Sequence, residues 1–320
     1  MDSRLLVKVC KWYYEDQINQ EEIAKRIGIS RSTISRMLTQ ARRQGVVKIT
    51  VEPSPSDTFD FDLETYLESR FDLAEVVICN CEQQAPGPVL GAMAADLLLR
   101  TLSPDHSVGL SWGRSVAAVV EALPRTDPMS QVTIVALSGG VGAVQQNYLG
   151  NTLVLKLADR LGAQAVTLDA PAIVQHETYT RLMTEPAISR VLARASAVDI
   201  ALVGIGAVGV FSTLTATEYL DPRMVAELEA MNAVGDICSR FYRLDGTPLD
   251  SDIDQRTIGI PLETLKRIPR VIGIGWGPEK IQAIMGALRM GVLDVLVTDR
   301  PTAQQLKNQS DTGGLTHDES

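Results

Sequence analysis

Short glycine-rich segments with hydroxyl and charged side chains recur along the chain, and their residue types suit ligand binding. The first, Gly109-Leu-Ser-Trp-Gly-Arg-Ser115, follows a predicted strand and precedes the predicted helix Val116–Leu123. Backbone N–H groups and serine hydroxyls at the N-terminus of a helix form a natural anion site. This loop therefore predicts a site for a small phosphorylated or polyhydroxylated ligand.

Five further segments have the same character: Leu137–Gly142, Asp169–Pro171, Gly204–Gly209, Gly235–Asp236 and Gly273–Lys280. Each of them alone indicates little, because a strand followed by glycine is usually a tight turn. Together they offer a ligand several polar side chains at one sheet edge, namely Ser111, Arg114, Ser115 and Lys280. Asp236 suits sugar hydroxyls as an acceptor, and it suits equally well the cap of a following helix.

The segment Gly204–Gly209 also matches the GxGxxG fingerprint of dinucleotide-binding proteins. It belongs, however, to the fifth predicted strand–helix unit rather than the first. Glu229, about 20 positions further on, lies in a helical run and not at a strand end. We therefore expect no nicotinamide site and no cofactor.

The cysteines and the three histidines offer little for metal binding or histidine-based catalysis. The cysteines are Cys10, Cys79, Cys81 and Cys238, and their spacing matches no zinc motif. We expect reduced thiols in a cytoplasmic protein. The charged N-terminus lacks the apolar region of a signal peptide, and no stretch approaches the roughly 20 apolar residues of a membrane span. No membrane partner is predicted.

The segment from Gln20 to Thr39 has the pattern of a helix-turn-helix. Its inward-facing positions hold apolar residues, namely Ile23, Ile27, Ile34 and Met37. Ala24 lies where the two helices touch, and Gly28 lets the chain turn sharply after the first helix. An upstream helix, Leu5–Tyr14, completes a three-helix core. An ordinary helical hairpin with a solvated basic face would not require these residues at these offsets.

The second helix of this segment exposes hydroxyl and guanidinium groups that suit base edges and phosphates in a major groove. The predicted DNA contacts are Gln20, Ser30 (also the helix cap), Arg31, Ser32, Thr33, Ser35, Arg36, Arg42 and Lys48. Residues 1–51 hold ten basic and five acidic side chains, although the whole chain has a net charge of −9. A basic head on an acidic body predicts double-stranded DNA as the partner of the head. The run Val46–Val51 forms a small wing or leads directly into a linker.

Short apolar runs alternate with helical patterns between residues 61 and 303, which is typical of a doubly wound, mainly parallel α/β sheet. The predicted strands are Glu75–Cys79, Ser107–Leu110, Val132–Leu137, Ala165–Leu168, Ile200–Ile205, Val271–Gly275 and Val295–Thr298. Predicted helices include Leu90–Leu102, Ser115–Leu123, Thr152–Leu161 and Pro278–Met290. The predicted organisation is therefore a helix-turn-helix domain (1–51), a linker (52–60), an α/β ligand-binding and oligomerisation domain (61–303) and a polar, frayed tail (304–320).

The order of these motifs resembles the SorC family of sugar-responsive bacterial regulators. The resemblance rests on segments at both ends of the chain: Trp12–Tyr14, Gln20–Ala24, Ile29–Leu38, Gly109–Ser115, Leu137–Gly142, Asp169–Pro171, Val203–Gly206, Ala233–Asp236 and Val297–Asp299. It implies a domain similar in fold to sugar-phosphate isomerases and glucosamine-phosphate deaminases, a sugar or sugar-phosphate effector, and a homo-oligomer, usually a tetramer. Gly113 belongs to the implied effector cradle Ser111–Ser115, and Asp169 to a further loop of the resemblance. Asp236 and Lys280 are implied polar contacts, and Gly139, Gly140 and Gly206 the floor of the pocket.

The implied function is regulation of a carbohydrate-utilisation operon through effector-modulated operator affinity, with no catalysis. One alternative is a sugar-phosphate isomerase or deaminase with an attached DNA-binding head. Such chemistry needs a proton shuttle, yet His106 lies at the wrong end of a strand and His176 suits a surface or lid position better. A third reading, an architectural DNA binder without a ligand, leaves the large glycine-rich domain unexplained.

Overall fold

The computed structural model describes residues 3–49, 60–81, 84–141, 150–209, 212–216 and 219–312. The chain divides into two compact units, Met1–Asp57 and Thr58–Ser320. In the described residues no helix is long and apolar enough to cross a membrane.

The first unit is a small helical domain, with α1 at Ser3–Cys10, a π-helical turn at Lys11–Glu15, α2 at Gln20–Ile27 and α3 at Arg31–Arg43. Ile23, Ile34 and Met37 are fully buried in its core, as the pattern predicts, while Ile27 is half-buried. Gly28 ends α2 with φ +70°, a left-handed conformation that costs glycine nothing. The predicted helix Leu5–Tyr14 is therefore an α-helix that continues as a π-turn. Described residues 46–49 form no strand, so the wing is absent as far as residue 49.

The second unit is built around a parallel sheet of seven strands in the order β1-β10-β9-β5-β2-β3-β4. The strands are β1 (Glu75–Cys79), β2 (Ser107–Leu110), β3 (Thr133–Ala136), β4 (Gln164–Val166), β5 (Ile200–Gly204), β9 (Arg270–Ile274) and β10 (Val295–Asp299). Successive residues of one strand, such as Leu202 and Val203, belong to different apolar clusters on the two faces of the sheet. Both faces are thus covered, which confirms the predicted doubly wound α/β architecture.

Helices cover both faces and link the strands. They are α4 (Phe61–Phe71), α5 (Pro86–Thr101), α6 (Arg114–Ala122), α7 (Gly150–Leu161), α8 (His176–Thr184), α9 (Pro186–Ala195), α10 (Thr213–Ala216), α11 (Pro222–Ala230), α12 (Asp252–Gln255), α13 (Leu262–Leu265), α14 (Ile281–Met290) and α15 (Arg300–Thr312). The predicted helices agree with α5, α6, α7 and α14 to within a few residues, except that the last begins with a 3₁₀ turn at Pro278–Lys280.

A second, small sheet was not predicted. It is antiparallel and consists of β6 (Gly206–Ala207), β7 (Ala233–Ile237) and β8 (Arg240–Arg243). The connection between β7 and β8 is the two-residue turn Cys238–Ser239, where φ is +57° and +62°. Positive φ at both central residues gives the turn a twist that matches the paired strands, although glycine or asparagine usually fills these positions.

Two expectations about the body of the chain are corrected. Residues 304–312 are not a frayed tail but part of α15, because Ala303, Leu306 and Ser310 lie on one buried face of a helix whose other residues are mostly polar. Cys79 and Cys81 are not reduced thiols but form a disulfide, with their Cα atoms 5.8 Å apart. Cys10 and Cys238 are free and buried.

Candidate functional site

The order of the strands places a cleft between the carboxyl ends of β2 and β5. The chain leaves β2 through α6 towards β3 on one side, and it leaves β5 towards β9 on the other. Loops that diverge in this way open a crevice, and ligands of doubly wound sheets bind there. The cleft is lined by six of the predicted effector residues, namely Gly113, Arg114, Ser115, Gly206, Asp236 and Lys280. We call it the effector cleft.

One wall of the effector cleft is the N-terminus of α6. Gly113 precedes the helix with φ +120° and, as a glycine, offers the first turn no side-chain cap. Ser115 is buried in the first turn, while Arg114 is exposed beside it. The uncapped amides, the positive end of the helix dipole and a guanidinium thus converge on the cleft, an arrangement that favours an anionic group.

The opposite wall holds a buried carboxylate. Asp236 lies in β7, pairs with Gly206 of β6 and is only 7% exposed. Burial raises the pKa of this carboxyl to about 6. Two smaller effects lower the pKa: the N–H of Ser239 donates to Oδ2 at 3.1 Å, and Lys280 is positively charged. A side chain at Gly206 would overlap Oδ1 of Asp236, so glycine at this position leaves the space that the carboxylate occupies. Because Asp236 caps a hairpin turn, the alternative that it caps a helix is wrong.

The turn beside Asp236 is anchored from outside the cleft. Arg240, which is buried, donates from Nη2 to the carbonyl oxygens of Thr257 and Gly259 at 2.9 and 3.1 Å. Its Nη1 also lies 3.0 Å from Oδ1 of Asp254. These contacts hold the left-handed turn Cys238–Ser239 in place.

Lys280 reaches the cleft from the 3₁₀ turn that follows β9. Burial and the nearby charge of Arg114 lower its pKa to about 8, while Asp236 and Glu279 act in the opposite direction. Its Nζ lies 5.5 Å from the centre of the Trp276 ring. The turn is fixed at its start, because the N–H of Gly277 donates to Oγ1 of the buried Thr302 at 2.9 Å.

Four predicted effector residues do not line the cleft. The buried hydroxyl of Ser111 accepts the N–H of Gly204 at 3.0 Å and so joins the ends of β2 and β5. Gly139 and Gly140 donate instead to the carbonyls of Ile258 and Ala170.

The carboxylate of the exposed Asp169 accepts from Asn151 at 2.8 Å. Gly139 and Gly140 follow β3, and Asp169 follows β4. Both strands lie on the far side of β2 from β5. Gly142 lies outside the described residues.

The sequence reasoning missed several cleft residues, among them Trp112, Ser212 and Cys238. The indole N–H of Trp112 is buried and has no hydrogen-bond partner in the described part of the chain. Its position between Ser111 and Gly113 in the first glycine loop was the available signal. Burial raises the pKa of the Cys238 thiol to about 12, so this residue acts as a small apolar group in the cleft.

In the first unit, α3 presents the predicted DNA-contacting side chains. Arg31, Ser32, Ser35 and Arg36 are exposed on the helix and Thr33 is half-buried, while Arg42 and Lys48 are exposed further along. Ser30 caps the helix, since its Oγ accepts the N–H of Thr33 at 3.2 Å. Gln20, half-buried, begins α2. The cap stabilises the start of the helix that carries these side chains.

Comparison with known proteins agrees with both units. A family described as “Putative sugar-binding domain” matches residues 57–308, and one described as “Crp-like helix-turn-helix domain” matches residues 4–52. The sorbitol operon regulator of Klebsiella pneumoniae is 34% identical over 95% of this chain and 98% of its own length. The deoxyribonucleoside regulator of Bacillus subtilis is 29% identical over 96% of this chain and 98% of its own.

The crystal structure of the full-length Klebsiella regulator SorC matches with a TM-score of 0.73 and 33% identity, covering 96% of this chain and 99% of that one. A DNA-binding helix-turn-helix joined to a sugar-binding domain defines the class: a sugar-responsive transcriptional regulator. Within that class, the chain belongs to the SorC family.

Proposed function

We propose that the effector cleft binds a sugar or sugar phosphate and that the bound effector changes the affinity of the helix-turn-helix for its operator. The observation that carries the proposal is that Lys280, Arg114 and the buried Asp236 line one cleft. This cleft lies between β2 and β5, the neighbouring strands from which the chain continues in opposite directions. Relatives named for a sorbitol operon and for deoxyribonucleosides support a polyhydroxylated effector and control of a carbohydrate-utilisation operon.

Each wall of the cleft recognises a different part of such a ligand. A phosphate binds at the N-terminus of α6, with Lys280 and Arg114 neutralising its charge. The carboxylate of Asp236 accepts hydrogen bonds from sugar hydroxyls, and the indole N–H of Trp112 donates to a ligand oxygen. Ser111, Gly139, Gly140 and Asp169 shape the loops around this cleft and do not touch the ligand.

At the operator, the N-terminal half of α3 reads the major groove. Arg31 and Arg36 reach bases and phosphates, Ser32, Thr33 and Ser35 make shorter contacts, and Gln20 and Ser30 bind the backbone near the helix starts. Arg42 and Lys48 add phosphate contacts. The protein works in the cytoplasm as a homo-oligomer, in which paired heads fit operator half-sites and the effector changes their spacing.

Two single substitutions test whether the activities reside in separate units. Arg36→Ala should weaken binding to a duplex from the promoter region beside the protein's own gene, yet keep the thermal shift produced by an active sugar phosphate. Asp236→Ala should keep duplex binding and lose both the thermal shift and the release from DNA. Equal effects of each variant on both activities would contradict the proposal, as would a wild-type protein that binds none of the promoter duplexes.

One observation favours a second function, sugar-phosphate isomerisation or deamination. The pKa values of Asp236 and Lys280 are moved towards neutrality, as in a pair that transfers protons. The cleft lining, which consists of described residues, contains no histidine; His176 instead lies 3.9 Å from Asp252 on the surface. Turnover of a sugar phosphate by the purified protein, lost in Asp236→Asn, would establish the enzyme, and its absence favours a pure regulator.

A further inference from the structure

A second cleft lies at the same edge of the sheet, at the carboxyl ends of β1 and β10. Its volume is about 540 Å³, and its walls include Asn80, Cys81, Asp299 and Thr302. None of the predicted effector residues, all of which are described, is part of this wall. The second cleft therefore belongs to no function considered so far.

The Cys79–Cys81 disulfide borders this cleft. Cys79 is the last residue of β1 and is 1% exposed, within the apolar core. Cys81 is half-buried and forms part of the cleft wall. Cys81 is thus the residue of the pair that borders the cleft, whereas Cys79 is shielded.

A purely structural role explains this disulfide poorly. A cross-link stabilises mainly by restricting the unfolded chain, and the restriction grows with the length of the closed loop. Here the loop contains a single intervening residue, Asn80. Moreover, a regulator that binds DNA works where glutathione and thioredoxin keep thiols reduced, and disulfides found there are usually transient and redox-sensing.

We propose that Cys79 and Cys81 form a reversible thiol–disulfide site at which low-molecular-weight thiols react. A thiolate enters the second cleft and attacks Sγ of Cys81; the S–S bond breaks, and Sγ of Cys79 leaves as a thiolate and takes up a proton. A second thiolate then attacks the low-molecular-weight sulfur of this mixed disulfide; the S–S bond to Cys81 breaks, and Sγ of Cys81 leaves as a thiolate and takes up a proton. The products are the two free protein thiols and one low-molecular-weight disulfide, and the reverse sequence oxidises the protein.

The second cleft lies next to the turn that carries Lys280 of the effector cleft. Gly277 and Pro278 are also in the wall of the second cleft, and they begin the turn that ends at Lys280 of the effector cleft. A thiol substituent on Cys81 therefore occupies the space beside that turn.

Alkylation of the full-length protein in glutathione buffers tests the proposal. The wild-type protein is equilibrated at increasing ratios of reduced to oxidised glutathione, quenched with acid, denatured and alkylated. Trypsin releases residues 71–100 as one peptide that contains Cys79 and Cys81 but neither Cys10 nor Cys238. We expect this peptide to change from no label to two labels in one transition, while Cys10 and Cys238 are labelled throughout. Two labels at every ratio, or none at every ratio, would overturn the proposal.

Two matched variants locate the reactive sulfur. In Cys79→Ser, Cys81 should accumulate a mixed disulfide with glutathione, because the partner thiol that would displace it is missing. In Cys81→Ser, the shielded Cys79 should stay unmodified in the folded protein. Equal glutathionylation of both variants, or modification of Cys79 alone, would refute attack from the cleft. The wild-type titration stands even if one variant fails to fold.

Discussion

Replacing Asp236 by asparagine should stabilise the ligand-free protein at neutral and alkaline pH, although it removes the carboxylate that the effector cleft presents. The carboxylate is 7% exposed and burial raises its pKa from 3.8 to about 6. The folded protein therefore holds this proton to a higher pH than the unfolded chain does. Its contribution to stability is fully present below about pH 4 and is lost as the pH rises through about 6.

The magnitude follows from the size of the pKa shift. A difference of about two units, at 1.36 kcal/mol per unit, corresponds to about 3 kcal/mol. Asparagine is uncharged at every pH, and its side-chain oxygen can still accept the N–H of Ser239. The variant should thus match the wild type at about pH 4 and exceed it by about 3 kcal/mol at about pH 8.

Urea unfolding followed by circular dichroism at several pH values measures this difference. Asp199→Asn is the matched control of opposite sign. Burial acts to raise the pKa of Asp199, but hydrogen bonds from the N–H and hydroxyl of Ser107 outweigh it and the pKa is lowered. That variant should lose stability, relative to the wild type, as the pH rises above about 4. An Asp236→Asn difference that is the same at both ends of the range would refute the reasoning.

Three further outcomes are expected. Gly206→Ala should sharply reduce effector-induced release from DNA, because the added methyl overlaps Oδ1 of Asp236. Operator affinity without effector should persist, and loss of that affinity would contradict the prediction. Thr302→Val leaves the N–H of Gly277 without its acceptor, so the second unit should lose about 1–3 kcal/mol of stability in urea unfolding. It should also bind sugar phosphates more weakly; unchanged binding in calorimetry would show that this hydrogen bond does not position Lys280. Ile34→Ala empties a fully buried position of the first unit, so DNA binding should fall as that unit loses about 2–5 kcal/mol, whereas the sugar-phosphate thermal shift of the second unit should be kept.

The helix-turn-helix could be predicted from the sequence because its determinants are local. Ile23 and Ile34 are set by the period of their own helices, and Gly28 by the turn between them. The parallel strands could be predicted for a similar reason, since the central ones, such as β5 and β10, are short apolar runs buried on both faces. The boundaries differ by a residue or two where strands end in loops, as at β4.

The small antiparallel sheet could not be predicted because its turn lacks the usual signal. The residues Cys238 and Ser239 adopt positive φ without being glycine or asparagine, and the contacts of Arg240 that hold them come from residues 254–259. Tertiary contacts therefore override the local preference. The helix α15 was missed for a related reason, since its buried residues Ala303 and Leu306 are few among polar neighbours.

The effector cleft was only partly predictable, because the sequence does not give the order of the strands. The glycine loops after β2, β3, β4, β5 and β9 follow the carboxyl ends of their strands, as expected, but β2 and β5 are neighbours while β3 and β4 lie beyond β2. Ser115 and Gly206 consequently share the cleft, whereas the loop of Gly140 pairs with that of Ala170, next to Asp169, away from the cleft. A topology is needed to decide which loops meet.

Three unfavourable features meet at the effector cleft: the buried charge of Asp236, the left-handed turn Cys238–Ser239, and the indole N–H of Trp112, which lacks an acceptor in the described chain. Each costs on the order of 1–3 kcal/mol. Asparagine, glycine and phenylalanine would remove these costs, so stability alone does not account for the residues present. A ligand that donates to Asp236 and accepts from Trp112 offsets two of the costs only while it is bound. The free energy recovered in this way, about 2–6 kcal/mol, is enough to supply the coupling of about 1–3 kcal/mol that changes affinity at a distant site about 5- to 150-fold.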